Sequence, residues 1–178
     1  EILAEAKKGD MSGGAYTEAV KMPKAGKMDE KMFETVANFQ VPYILMHMLG
    51  TPQNMQVNPE YSDVTQEIIS FFAAQIFKLH QLKLNDIIID VGFGFGKTAH
   101  HNFEILKNLS LFKSLDAPIL AGISRKSMLY KILDISAKEA LNATTSANTI
   151  ALLNGANMLR VHDVREAVEA IKIVSQIQ

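Results

Sequence analysis

Three short segments hold the residues whose types and spacing could do chemistry. The first is IIDVGFGFGKT over residues 88–98, in which an apolar run ends at Asp90 and enters a glycine-rich stretch. Two nucleotide-binding motifs are excluded by counting. A P-loop needs glycine five residues before its Gly-Lys pair, and that position is Val91. A dinucleotide fingerprint starting at Gly92 and Gly94 needs glycine at 97, which is Lys97. The glycines still permit positive φ and close backbone approach, and Phe93 and Phe95 can offer a flat apolar wall. The second segment is GISRKS, Gly122 to Ser127, with Ser124, Arg125, Lys126 and Ser127 after an apolar run. The third is LRVHD, Leu159 to Asp163, where strand alternation puts Arg160 and His162 on the same side. One carboxylate, several fixed cations, an imidazole and aromatic walls suit a planar polar heterocycle carrying an anionic leaving group.

Other chemistries fit less well. GISRK lacks the Gly-x-Ser-x-Gly of a serine-hydrolase elbow. His100 and His101 open a helical segment, His80 falls on a helix surface, and no His pair has zinc-ligand spacing with a third ligand. His47, between methionines near a strand end, reads as a structural histidine.

The elements that must position these residues are legible as apolar runs and helical stripes. Val41 to Met46, Asp86 to Ile89, Pro118 to Ile123 and Met158 to Val161 lack alternation, as strands buried on both faces do. Between them, Val64, Ile68, Phe71, Phe72, Ile76 and Leu79 form one helical stripe, and Phe103, Leu106, Leu109 and Phe112 form another over Asn102 to Leu115. A helix is expected from Met28 to Phe39. Ser136 and Glu139 read as a capping box opening an Ala-rich helix to about Asn154, closed by Gly155. Val164, Val168, Ile171 and Val174 pattern the last helix. Residues 16–27, with three lysines and Pro23, read as a flexible loop. Strand-then-helix order implies parallel strands, whose carboxyl ends share the rim where α/β proteins bind ligands. Spacing alone leaves a doubly wound sheet and a (β/α)8 barrel both open.

Composition narrows the class. The chain has 178 residues, 48% of them apolar, enough for a core in a single domain over 1–178. A net charge of −1 argues against a general nucleic-acid binder. The absence of cysteine excludes disulfides and thiolate metal sites. No apolar run approaches the ~20 residues that span a bilayer, and the first residues are not a signal peptide, so a soluble cytoplasmic protein is expected.

Taken in order, the motifs resemble dihydropteroate synthase, a folate-pathway transferase family. They are Ser12-Gly-Gly14, Leu45 to Met48 (LMHM), Gly50-Thr-Pro52, Met55-Gln56, Asp90 to Thr98, Gly122 to Ser127 and Arg160 to Asp163. The resemblance implies a (β/α)8 TIM barrel, here the last four βα units plus a remnant of the preceding loop. It implies condensation of 6-hydroxymethyl-7,8-dihydropterin diphosphate with 4-aminobenzoate, giving 7,8-dihydropteroate and diphosphate. On that resemblance Lys126, Arg160 and His162 are catalytic. Asp90, Lys126, Arg160, Phe95, Met46 and Gly122 would face the pterin, and Arg160, Val161 and His162 the diphosphate. Ser127, Lys126 and Phe95 would face aminobenzoate. Mg2+ would accompany the diphosphate, with no protein ligand in this chain; a homodimer through the last helices and sulfonamide sensitivity are also implied.

The chain departs from the family pattern in four places. The first three strands have no counterpart, the fourth is missing ahead of Ser12, Val91 stands where the family usually has proline, and residues 16–27 look inserted beside the family's short link into the helix at Met28. A complete enzyme of which this is the C-terminal part is expected. Two rival readings are a pterin-binding methyltransferase domain and a non-catalytic pterin-binding or assembly module.

Overall fold

The structure is a computed structural model and describes residues 2–5, 30–50 and 59–177. The expected loop at 16–27, the Ser12-Gly-Gly14 motif, Thr51-Pro52 and Met55-Gln56 lie outside the described residues.

Four of the five strands are those the apolar runs announce: β2 (Tyr43–Met46), β3 (Ile87–Asp90), β4 (Ile119–Ala121) and β5 (Met158–Val161). They lie side by side in sequence order and pair in parallel, within a sheet ordered β1-β5-β4-β3-β2. Every residue of β3 and β4 is buried, which is why these strands read as unbroken apolar runs. The strand that sequence analysis did not anticipate is β1 (Ile2–Glu5), antiparallel to β5 on the sheet edge opposite β2. Ile2-Leu3-Ala4 is too short an apolar stretch to announce a strand by pattern.

Helices α1 (Glu30–Phe39), α2 (Val64–Gln81), α3 (Ala99–Lys107), α4 (Ser127–Tyr130), α5 (Leu141–Leu153) and α6 (Val164–Val174) connect and follow the strands. Asp63 caps α2 by accepting from the Gln66 amide at 2.9 Å, and the α2 stripe buries Val64, Ile68, Phe72, Ile76 and Leu79. Phe72 meets Phe112 edge-on with centroids 6.3 Å apart, tying α2 to the segment before β4. Among the described residues, no helix is long and apolar enough to cross a membrane.

Two expected helices are shorter than their patterns. The stripe from Asn102 to Leu115 divides into α3 and a 3-10 helix, Leu109–Leu115. The Asn154 side-chain amide donates to the Leu106 carbonyl at 2.8 Å, taking an acceptor that a continuing helix would use. Only half of the expected capping box forms: the Glu139 carboxylate accepts from the Ser136 amide at 2.9 Å and hydroxyl at 2.7 Å, but the Glu139 amide donates to the Ser136 carbonyl rather than to its hydroxyl, and regular helix begins only at Leu141. The Arg125 guanidinium accounts for the delay. Its Nη1 donates to the carbonyls of Ala137 at 3.0 Å and Lys138 at 2.6 Å, which a first helical turn would need. At the other end α5 closes as expected. Gly155 has φ +101°, and Ala156 and Gly155 donate to Ala151 and Leu152, the paired bonds of a Schellman cap.

Candidate functional site

The carboxyl ends of β3, β4 and β5 bring the three chemistry-bearing segments to one rim. Asp90, the last residue of β3, is fully buried, with Met46 of β2 beside it in register. Its Oδ1 accepts the Gly92 amide at 2.8 Å. Its Oδ2 lies 3.2 Å from Arg160 Nη2 but accepts no hydrogen bond from any described group. A buried carboxylate oxygen left in that state costs free energy that a ligand donor would relieve. Arg160 reaches it by lying across Gly122: a Cβ there would stand 2.7 Å from Nη2, so the close approach of the guanidinium requires glycine.

The glycine-rich turn is tied down at nearly every residue. Gly94 donates its amide to Asn102 Oδ1 at 2.7 Å, and the Tyr61 hydroxyl donates to the Gly96 carbonyl at 2.9 Å. Burial, with the Glu67 carboxylate adding to it, pushes that phenol up to about 12, so it stays a donor. Lys126 Nζ donates to the Phe93 carbonyl and sits 4.4 Å from the centroid of the Phe95 ring. Phe95 is half-buried, as a wall of the rim. Phe93 is not: its ring is buried in the core, which corrects the expectation that both phenyl groups face a ligand.

Lys97 is the centre of this network and is only 3% exposed. Its three N–H groups reach the Gly92 carbonyl at 2.9 Å, the Phe95 carbonyl at 3.0 Å and His47 Nδ1 at 3.0 Å. Gly92 is pressed against the same segment, since a Cβ at its φ of +68° would fall 1.9 Å from the His47 carbonyl oxygen. Lys97 therefore fastens the turn after β3 to the end of β2. Burial pulls its ammonium down to about 7, with Lys126 acting the same way and the Asp90 carboxylate opposing. His47 is the structural histidine its sequence setting suggests. Burial, reinforced by the Lys97 charge, lowers it to about 3, so it stays neutral and accepts through Nδ1.

That depression has a sign. The unfolded chain protonates His47 near its ordinary 6.5 and the folded protein only near 3, so stability falls as pH drops through that window. We expect a loss on the order of 2–3 kcal/mol between pH 6.5 and pH 4 from this group. Thermal midpoints over that range, compared with His47→Gln, check it: the variant should lose distinctly less on acidification. Parallel losses in the two proteins would remove His47 from the effect.

The segments after β4 and β5 are stitched together by side chains. Arg125 forms a two-pronged pair with Asp163, Nη2 to Oδ1 at 2.7 Å and Nε to Oδ2 at 2.9 Å. Its hydrogen bonds hold the Asp163 carboxyl below the usual carboxylate range. Arg125 is thus engaged inside the protein rather than offered to a ligand, which corrects its reading as a rim cation. Ser124 Oγ is 2.9 Å from His162 Nδ1. His162 itself is exposed, whereas the Val161 side chain is buried, leaving Val161 only backbone to present. Ser127 is exposed at the first position of α4. The structure therefore joins Asp90, Arg160 and Gly122 in one group, and Lys126 with Phe95 in a second. Among the described residues, no group of three or more His, Asp or Glu side chains is arranged to hold a metal ion.

The model of the pterin binding enzyme family matches residues 16–162. The chain belongs to that family. Dihydropteroate synthase of Escherichia coli (strain K12) is 40% identical over 143 residues, 79% of this chain and 51% of that protein. Among solved structures, Yersinia pestis dihydropteroate synthase with a sulfonamide drug superposes with a TM-score of 0.79 at 38% identity, covering 82% of this chain and 54% of that one. The Thermus thermophilus dihydropteroate synthase in complex with 4-aminobenzoate gives 0.79 at 31% identity, covering 84% and 62%. The chain spans about half the length of the curated relatives it matches. The barrel architecture of this pterin-binding family resolves the choice that strand spacing leaves open, with β2 to β5 as consecutive parallel strands of a partial barrel.

Sequence reasoning missed the residues that brace the family's glycine-rich turn. Lys97, Asn102 and Tyr61 carry no catalytic signature, and Tyr61 reaches the turn from 35 residues away. For Lys97 a signal exists only in hindsight: a lysine directly after three alternating glycines has backbone carbonyls within reach of its ammonium.

Proposed function

We propose that the protein carrying this chain is a dihydropteroate synthase, to which this chain contributes the pterin and diphosphate side of the site. The observation that carries the reading is Asp90, a buried carboxylate whose Oδ2 lacks a hydrogen-bond donor beside the Arg160 guanidinium. The 2-amino group and adjacent ring N–H of a pterin form a planar pair of donors suited to such a carboxylate. Lys126 takes the pterin carbonyl side. Met46, Gly122, Phe95 and the Arg160 guanidinium enclose the ring. His162 and the Val161 backbone hold diphosphate oxygens together with Arg160, and Ser127, Lys126 and Phe95 receive 4-aminobenzoate, the ligand of the Thermus thermophilus relative.

In the reaction the pterin methylene loses its bond to the diphosphate oxygen and gains one to the aminobenzoate nitrogen, which releases a proton. Positive charge builds on the methylene as diphosphate departs with its electron pair. Arg160, His162 and Lys126 are fixed before that moment, so they stabilise the leaving charge without reorganising. No enzyme nucleophile takes part. Mg2+ would travel with the diphosphate and neutralise part of its charge; since the described residues offer it no cluster of ligands, no step here runs through the ion. A cytoplasmic location belongs to the same reading. So does sulfonamide sensitivity, since such a drug occupies the Yersinia pestis relative.

The test is to incubate the intact protein with the pterin diphosphate, with and without 4-aminobenzoate, and follow 7,8-dihydropteroate. Product that forms only with both substrates is expected. Pterin binding without any product would favour the non-catalytic module instead.

The reading includes a homodimer through α5 and α6. Ile150 and Leu153 on α5, Ile173 in the last turn of α6 and Ile177 three residues beyond it are 45–70% exposed, while α5 and α6 pack on one another. Exposed apolar side chains on two neighbouring helices favour a covering surface. Sedimentation at micromolar concentration should give twice the mass of the protein, and Ile173→Glu should lower it; a one-chain mass for the unmodified protein would contradict the dimer.

A further inference from the structure

Strand register does not stop where β4 and β5 stop. Ala121 pairs with Leu159, an offset of 38 residues. The same offset relates Ser124 to His162 and Arg125 to Asp163, which are bonded through their side chains. A parallel strand pair is thus prolonged by side-chain rungs toward the rim, and the outer rung, Arg125 with Asp163, fixes the spacing of the inner one.

The inner rung has a proton count that can be followed. A serine hydroxyl has one proton to donate and two lone pairs. The His162 backbone amide donates to Ser124 Oγ at 3.2 Å, and Oγ faces His162 Nδ1 at 2.9 Å. Among the described residues Nδ1 is the one acceptor within hydrogen-bond distance of this buried hydroxyl, so the hydroxyl proton is satisfied by pointing into Nδ1, whereas an Nδ1–H donating to the second lone pair would leave it without an acceptor. A neutral imidazole that accepts at Nδ1 carries its own proton on Nε2. No described residue hydrogen-bonds Nε2, and His162 is exposed while Ser124 is buried beneath it.

We propose that Ser124 is a positioning residue that locks His162 in its Nε2–H tautomer and presents that N–H, as an oriented donor, to a diphosphate oxygen. The ligand half rests on the dihydropteroate synthase reading; the tautomer half stands on the geometry of Ser124 and His162 alone. Such a device gives the leaving group a donor whose orientation is set before reaction, as an orienting partner does for a histidine that ligates a metal. Ser124 need touch neither substrate.

The experiment uses the intact protein, labelled with 15N in histidine, at a pH where His162 is neutral. Nitrogen spectra report the tautomer of His162, and titration with inorganic diphosphate reports affinity. The unmodified protein should show one tautomer, and its Nε2 signal should move on addition of diphosphate. Ser124→Ala should populate both tautomers and weaken diphosphate about tenfold, the scale of one oriented hydrogen bond. Ser124→Thr keeps the hydroxyl and should restore both readings, which separates the effect from a packing defect at this buried position. A single Nε2–H tautomer in Ser124→Ala would overturn the proposal, as would weakened affinity without a tautomer change. If instead diphosphate leaves His162 unmoved in the unmodified protein, the diphosphate role falls, and the tautomer comparison still decides what Ser124 does.

Discussion

Arg160→Ala should lower turnover by roughly 30- to 1000-fold, the equivalent of about 2–4 kcal/mol of lost transition-state stabilisation. On the proposed function the leaving diphosphate is highly charged, and Arg160 lies between Gly122 below and Asp90 beside it. The same geometry says that alanine will not be silent in the folded state. Asp90 is fully buried, and removing its nearest counter-ion leaves a carboxylate uncompensated, so the melting midpoint should fall as well. Arg160→Lys separates the two effects. It keeps a positive charge near Asp90 but loses the planar fork, so the midpoint should be largely retained while turnover still falls by about tenfold or more. Diphosphate release with both substrates, measured beside the melting curves, checks this. Near-normal turnover in Arg160→Lys and Arg160→Ala alike would remove Arg160 from the anion site.

Asp90→Asn should weaken pterin binding by ~30- to 1000-fold, about 2–4 kcal/mol for two charge-assisted bonds. The amide oxygen can still accept from Gly92, so the turn after β3 should keep its shape. The amide nitrogen then replaces Oδ2, placing a donor against both the Arg160 guanidinium and the donor edge of the pterin. A site built to accept hydrogen bonds discriminates strongly when a donor takes the acceptor's place. Calorimetric titration with a pterin ligand reads the effect, and unchanged affinity would exclude Asp90 from recognition.

What the sequence made legible is what depends on periodicity and on local order. The four parallel strands and the α2 stripe follow from burial patterns that repeat along the chain, and Gly155 closes α5 because a left-handed residue is needed there. The strand-end motifs were visible because parallel strands carry their chemistry to one rim. What stayed hidden was set by residues far apart in the chain. The late start of α5 depends on Arg125 taking two carbonyls that a capping box alone would leave to the helix. The burial of Phe93, against the half-exposure of Phe95, depends on how Lys97 and Asn102 anchor the turn between them. Arg125 and Arg160 look alike in sequence, yet one is paired two-prong with Asp163 and the other lies over Gly122 toward Asp90. No one-dimensional pattern distinguishes them.

The most direct test compares the affinity of the intact protein for 6-hydroxymethylpterin and for its diphosphate, in the unmodified protein, Asp90→Asn and Arg160→Lys. If Asp90 reads the ring and Arg160 the anion, the unmodified protein binds the diphosphate form at least tenfold more tightly, about 1.4 kcal/mol. Asp90→Asn should then weaken both ligands by the same factor, whereas Arg160→Lys should weaken the diphosphate form more than the bare pterin and so narrow the gap between them. Equal affinity for the two ligands in the unmodified protein, or a gap that survives Arg160→Lys, would contradict a pterin diphosphate site on this rim.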